Sequence, residues 1–351
     1  MGYIYTKSGK LAKRLYFGAV LLFEGLYYTF KNRVLADGGT FVENELPTIN
    51  QDASLVLTPN AYKAGKLYSA VPNDGTGDFT VDRNSTATYI GQDGLIKTAL
   101  ANVPRFDWST GEAALLVEPQ RINLITYSED FSNVYWNKSG LISENKELTT
   151  PTGLGIATLL TENTGVAQHR IIKSFSFIVN QIYTLSIYVK RQEGTRQFQL
   201  GGSSGNIARA YFNLDTIAVG TLGGTNTRAG IKKISNDWYY CSMEFLADTS
   251  SGNIFLSMTS SAAIDSETYT GNGTSSMLFW GAQLEEASTA SSYIPTNGTT
   301  VTRLADNISV TTPAGVTSIT ETIDGVEQTP ITTIPATYSL PVGNINKVTM
   351  L

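Results

Sequence analysis

Between Tyr183 and Lys190 apolar and polar side chains alternate one for one. Tyr183, Leu185, Ile187 and Val189 fall on one side, and Thr184, Ser186, Tyr188 and Lys190 on the other. A period of two is that of a strand with one buried face. The pattern returns at Tyr239, Cys241, Met243 and Phe245, at Ile254, Leu256 and Met258, and at Leu278, Trp280, Ala282 and Leu284. Each series predicts a strand with a single inward side. Turns rich in Gly, Ser and Asn separate these strands, and no helical stripe of comparable length intervenes. The expected fold is therefore all-β, with a jelly-roll β-sandwich as the simplest way to bury the inward faces. This main domain is set at residues 126–310.

The flanks follow different patterns. Residues 56–125 alternate short apolar runs with the turn signals Pro72-Asn73-Asp74-Gly75, Gly91-Gln92-Asp93-Gly94 and Ser109-Thr110-Gly111, which predicts a small β module ahead of the sandwich. Residues 1–55 hold one apolar run, Leu15 to Phe30, preceded by Lys7, Lys10, Lys13 and Arg14. The run is shorter than the roughly 20 residues that cross a bilayer, Glu24 interrupts it, and no small-x-small cleavage site follows directly. A docking segment followed by a polar linker fits better than a membrane span or a secretory signal. In residues 311–351, Pro313, Pro330, Pro335 and Pro341 break any long central strand. That stretch reads either as a small terminal β element or as an arm that pairs with a neighbouring subunit.

Composition narrows the chemistry. A net charge of -5 without long basic runs argues against nucleic acid as a partner. One cysteine, Cys241, rules out an internal disulfide and a Cys-rich metal site. With one histidine, His169, a Ser-His-Asp triad or a multi-histidine metal site is centred there or absent. Its apolar neighbours Ile171 and Ile172 favour a structural histidine. The adjacent acids Glu129-Asp130 and Glu285-Glu286 sit on opposite faces of any strand, so neither pair supplies both acids of a glycosidase. They read as solvated charges. No catalytic residue, metal or cofactor is expected.

Aromatic side chains are the remaining candidates for ligand contact, because sugar rings stack on Trp and Tyr while hydroxyls meet polar groups. Tyr135, Trp136, Trp238 and Tyr240 stand near predicted strand ends. The competing reading is that Trp136 and Trp238 cap the core.

Five stretches occur in an order that resembles phage structural proteins. They are Phe79-Thr80-Val81-Asp82-Arg83-Asn84-Ser85-Thr86-Ala87-Thr88, Leu116-Val117-Glu118-Pro119-Gln120-Arg121-Ile122-Asn123-Leu124, Tyr127 to Asn133 with Trp136, Trp280-Gly281-Ala282-Gln283-Leu284-Glu285-Glu286, and the closing Ala290 to Thr296 with Thr302-Arg303-Leu304-Ala305-Asp306. The resemblance spans about residues 79 to 310. It implies a virion head or tail fibre, or a capsid-decoration subunit, with a sandwich similar to carbohydrate-binding modules. It further implies that Arg83, Asn84, Glu118, Arg121, Asn123, Gln283 and Arg303 are structural, the arginines fixing strand ends through carboxylates or carbonyls. The partners expected on this reading are other virion proteins through residues 1–55, host cell-surface polysaccharide, and further copies of the chain in a dimer or trimer. A secreted or cell-surface lectin-like adhesin and a polysaccharide depolymerase are the alternatives.

Overall fold

The computed structural model describes residues 52–351 apart from 59, 60, 64, 73, 204–207 and 226. Before them it describes only the backbone of Leu22–Phe23, Leu26–Tyr27, Arg33–Ala36 and Thr40–Glu43. The docking expected of residues 1–55 lies, residues 52–55 apart, outside the described side chains. Among the described residues every regular element is a strand except one turn of 3-10 helix, Ser235–Asp237.

The chain divides into two units. One holds Ser85–Leu100 and Pro119–Ala305. It contains two six-stranded antiparallel sheets. The first runs, in spatial order, Leu141–Thr150, Gly153–Glu162, Ser276–Glu285, Ile182–Glu193, Tyr239–Leu246 and Arg228–Lys233. The second runs Asn137–Ser139, Arg170–Ser176, Ser251–Thr259, Gln197–Ser203, Ala208–Asn213 and Ala218–Gly223. One core joins them. Leu185, Ile187, Val189, Cys241, Met243 and Phe245 come from the first sheet, and Phe198, Leu200, Ile254, Leu256 and Met258 from the second. The inward series of the Ile182, Tyr239 and Ser251 strands are those the alternation predicts.

The Ser276–Glu285 strand departs from it. All ten of its residues are buried, and its phase changes midway: Met277, Phe279, Ala282 and Leu284 enter the shared core, whereas Leu278 and Trp280 face the opposite side. Leu278, Trp280, Ala282 and Leu284 therefore do not share one face. The cause is a bulge. Ser186 pairs with Gln283 but Tyr188 pairs with Trp280, so one extra residue is inserted at Gly281. Gly281 has φ +67°, and a Cβ there would stand 3.0 Å from the Tyr188 ring. The reversed half of the strand joins Tyr188, Trp238, Tyr293 and Ala157 in a second cluster. Ile96 completes it from the hairpin of Ala87–Ile90 and Ile96–Ala99. That hairpin, expected within the module at 56–125, belongs to this unit because its apolar side finds its partners here.

The other unit comprises the described residues up to Asn84, then Ala101–Glu118 and Asp306–Leu351. Residues 311–351 are integral to it. Gly343–Met350 pairs with Ala114–Val117, Ile319–Ile323 and Leu55–Leu57, while Asn307–Thr311 pairs with Phe79–Asp82 and Thr337–Ser339. Leu55, Leu57, Phe79, Leu115, Ile319, Ile345 and Val348 form its core. Pro313, Pro330, Pro335 and Pro341 all lie between strands, where a missing N–H breaks no ladder.

Buried charge ties this unit together. Asp306 accepts hydrogen bonds from Arg83 Nη1 at 2.6 Å, from Arg105 Nη2 and from the Glu118 backbone N–H at 2.9 Å. Arg105 Nη1 also donates to Glu118 Oε2 at 2.6 Å, and Arg83 Nη2 to the Val103 carbonyl at 2.9 Å. The side chains of Arg83, Arg105 and Asp306 have no solvent exposure. Removing one partner from such a set leaves a buried charge uncompensated. Asp306→Asn is expected to destabilise this unit by about 3–5 kcal/mol, measured as a shift in denaturant midpoint.

Candidate functional site

Each aromatic side chain predicted to meet a ligand has a place in the packing. Trp136 is buried, stacks on Phe131 at 5.1 Å and donates its indole N–H to the Tyr127 carbonyl at 3.0 Å. Trp238 is buried and donates to the Thr149 carbonyl at 3.0 Å. With ring faces covered and indole N–H groups satisfied, neither offers a platform to a sugar, which corrects the expectation for both. Tyr240 is half-buried against Tyr188 at 4.9 Å. Tyr135 meets Tyr127, the edge of Trp136 and the Lys173 ammonium, 3.9 Å from its ring centroid. The structure does not gather the four into one surface. Tyr135 and Trp136 touch each other, whereas Trp238 and Tyr240 both belong to the second cluster.

The motif residues bind backbone. Asn123 donates to the carbonyls of Ala282 and Ile294 at 3.1 and 2.9 Å and accepts from the N–H groups of Ile125 and Leu284. Gln283 accepts from the Ile294 N–H at 2.6 Å. Arg303, buried, donates to the Pro119 carbonyl at 2.9 Å, and Arg121, its cross-strand partner, donates to the Gln120 carbonyl at 3.0 Å. Glu118 joins Asp306 as described, and Asn84 is exposed.

The acids are engaged locally. Glu285 is fully buried and accepts from the N–H and hydroxyl of Ser291, at 2.9 and 2.5 Å, while Glu286 is exposed. Glu129 accepts from the Tyr293 hydroxyl at 2.8 Å, and burial raises its pKa. Glu285 and Glu129 are therefore not the solvated charges expected of them, because each has found a donor inside the fold. Glu162, also buried, accepts two bonds from Arg196, at 2.8 and 2.7 Å, one from the Tyr269 hydroxyl and one from the Asn272 N–H, both at 2.8 Å. His169 stacks on Tyr269 at 4.4 Å, and burial lowers its pKa. A Cβ on Gly140 would approach its ring to 2.9 Å. A carboxylate engaged by four donors and a close-packed imidazole stacked on a tyrosine do not make an acid–base pair. Among the described residues no group of His, Cys, Asp and Glu could hold a metal ion.

A different surface has the features a ligand would use. In the second sheet, Ile171, Phe198, Leu200, Ala210, Leu256 and Met258 point into the core, so their neighbours in sequence point outward. Register aligns these outward residues. Arg170, Ser257, Gln199 and Tyr211 form one row across four strands, in which Arg170 is half-buried and the other three are buried, and Ile172, Phe255, Gly201 and Arg209 form the next. A Cβ on Gly201 would meet the Phe255 ring at 2.8 Å, so its absence lets that ring lie over the strand. The Arg170 guanidinium stacks 4.4 Å above the ring centroid. Beside it Arg209 pairs with Glu267 at 3.0 Å, and Glu267 accepts from the Tyr211 hydroxyl at 2.8 Å. Burial and this carboxylate raise the Tyr211 pKa to about 12. Two buried polar atoms of the first row, Ser257 Oγ and Arg170 Nε, have no hydrogen-bond partner among the described residues.

No protein-family model matches the chain, and no curated protein does. Among solved structures the chain is similar to the CBM22-1 xylan-binding domain of Paenibacillus barcinonensis Xyn10C, at 12% identity and a TM-score of 0.31, over 50% of this chain and 98% of that one. It is also similar to the CBM22-1-GH10 modules of Clostridium thermocellum xylanase 10B complexed with xylohexaose, at 10% identity and a TM-score of 0.30, over 50% of this chain and 30% of that one. A third likeness is to the mannan-recognising carbohydrate-binding module TmCBM27, at 14% identity and a TM-score of 0.24, over 49% of this chain and 98% of that one. Similarity at these scores carries no argument about a ligand.

Glu162 gives the unit a pH dependence. Burial alone would raise its pKa, but its four donors outweigh burial and hold it below 4.5. Its contribution to stability is thus fully present above pH 4.5 and fades as pH falls through the depressed value. The difference in denaturant midpoint between the native chain and Glu162→Gln is expected to be constant from pH 7 to about 5 and to shrink below.

Proposed function

We propose that this chain is a non-catalytic glycan-binding protein, built on a jelly-roll sandwich, that holds a sugar chain on the outward face of the second sheet. The observation that carries the reading is the Arg170 guanidinium over the Phe255 ring, both half-buried, supported from beneath by the buried Ser257, Gln199 and Tyr211 of the same sheet. Sugars combine apolar C–H faces with hydroxyls that both donate and accept, so they match a surface that pairs an aromatic ring with a guanidinium. A face made of hydrogen-bonded strands also holds those groups in place before binding, which lowers the ordering cost.

The ordered motifs support display on a virus particle as a head or tail fibre or decoration subunit, with residues 1–55 docking on capsid or tail proteins. Copies joined as a dimer or trimer would raise a weak sugar affinity by avidity, on the order of 10² or more. A secreted or cell-surface lectin-like adhesin is the alternative, favoured by the basic and then apolar stretch from Lys7 to Phe30. A reconstruction of particles from the source separates the two: density for the chain on the particle supports the first, and its absence promotes the second.

Glycan-array binding followed by calorimetry tests the shared claim. Phe255→Ala and Arg170→Gln are each expected to weaken the bound glycan by about three- to tenfold, with Trp136→Phe near neutral for binding. Absence of binding to every glycan, or affinity indifferent to both substitutions on the sheet face, would overturn the assignment.

A further inference from the structure

Leu141–Thr150 is the outermost strand of the first sheet and, among the described residues, pairs with one neighbour only, Gly153–Glu162. It runs for ten residues with no register shift and no proline. The Asn163 N–H donates to the Gly140 carbonyl at 2.9 Å, which sets the phase of the strand. Ile142, Glu144, Lys146 and Leu148 turn their backbone groups to the neighbour, and Leu141, Ser143, Asn145 and Glu147 turn theirs outward. The Trp238 indole, which donates to the Thr149 carbonyl, obeys the same phase. A long, regular edge of this kind is a template for a further strand.

Charges on an edge ordinarily block such pairing. Here their order favours it for one partner, a second copy of the same strand. Two copies related by a two-fold axis pair antiparallel, and the residue on the axis fixes the register. An axis at Glu144, Lys146 or Glu147 places like charges directly opposite each other, and an axis at Ser143 or Leu148 leaves Lys146 opposite no acid. An axis at Asn145 sets Glu144 opposite Lys146 of the second copy, and Ile142 opposite its Leu148, twice over by symmetry. The hydrogen-bonded rungs are then Ser143 with Glu147 and Asn145 with Asn145, residues whose backbone faces outward. Glu144 and Lys146 fall at the intervening positions, where side chains approach most closely. Within one chain these two side chains pair with each other and stay 62% and 42% exposed, so each is accessible to a second copy. Ile142, 66% exposed, gains an apolar neighbour.

We infer that Leu141–Thr150 is a homodimerisation edge, through which two copies pair antiparallel about Asn145 and make the first sheet continuous across both chains. The inference goes beyond glycan binding. It supplies the contact surface for the joined copies of the reading above and does not depend on what the second sheet holds. Because the contact is isologous it closes with two chains, which selects a dimer over a trimer.

Sedimentation velocity of the full chain across the micromolar range tests it, with a dimer as the expected species. Lys146→Glu, which brings acids opposite each other, and Glu144→Lys, which brings ammonium groups opposite each other, are each expected to weaken self-association by about tenfold or more. An equimolar mixture of the two variants is expected to recover a dimer, since each chain then carries the charges that complement the other. The chain carrying both substitutions is expected to recover it alone. Unchanged thermal unfolding of the single variants separates an effect on the interface from one on folding. A monomer throughout the range, or a trimer, would overturn the inference. A dimer indifferent to both substitutions, or one that the mixture fails to restore, would overturn it as well. Glycan binding by a monomeric chain would leave the glycan reading standing without this interface, and a charge-dependent dimer silent on a glycan array would do the reverse.

Discussion

One buried carboxylate holds distant parts of the chain in register. Asp306 is 223 positions from Arg83 and 188 from the backbone N–H of Glu118, yet all three meet without solvent exposure of the acid's side chain. An isolated buried charge is strongly disfavoured, so the arrangement persists only with both guanidiniums and the N–H in place. Bringing such separated segments together costs loop-closure entropy, which the surrounding core of Leu115, Phe79 and Ile308 offsets. Arg83, Glu118 and Asp306 each lie in one of the sequence stretches singled out above. Those stretches thus mark where a chain that leaves and re-enters this unit is pinned, and their chemistry is that of a scaffold.

The same logic runs through Asn123 and Gln283. Asn123 answers two carbonyls and two N–H groups with one side chain, close to the full capacity of an amide. Gln283 receives the Ile294 N–H on the strand whose phase Gly281 has just reversed. A bulge strips backbone groups of their regular ladder partners, and side-chain amides nearby supply replacements. Trp280 and Leu278 can then face Trp238 and Tyr293 while Ala282 and Leu284 face the shared core. A strand buried on both sides is the result.

Local alternation made much of this legible. The inward series of the Ile182, Tyr239 and Ser251 strands could be read directly, because a period of two survives wherever no bulge intervenes. It failed at Ser276–Glu285 because a single inserted residue exchanges the two faces, and nothing in the spacing of Leu278, Trp280, Ala282 and Leu284 betrays that exchange. The place of residues 311–351 and of the Ala87–Ala99 hairpin depended on pairings across the chain, to which local pattern is blind. Trp136 and Trp238 drew notice as large aromatics near strand ends. What decides their role is a carbonyl within reach of each indole, Tyr127 for one and Thr149 for the other.

The row on the second sheet was half visible. Once Phe198, Leu200, Leu256 and Met258 are read as inward, Gln199 and Ser257 must face out, and Ile171 turns Arg170 outward by the same rule. Register then makes neighbours of residues that the sequence scatters from Arg170 to Ser257. Gly201 is the telling position. Within a strand a glycine loses packing and backbone entropy, which calls for a compensating contact. Here the contact is the Phe255 ring lying where a Cβ would stand, with Arg170 resting on it. A glycine whose absent side chain makes room for a stacked cation on an outward sheet face organises a surface instead of a core.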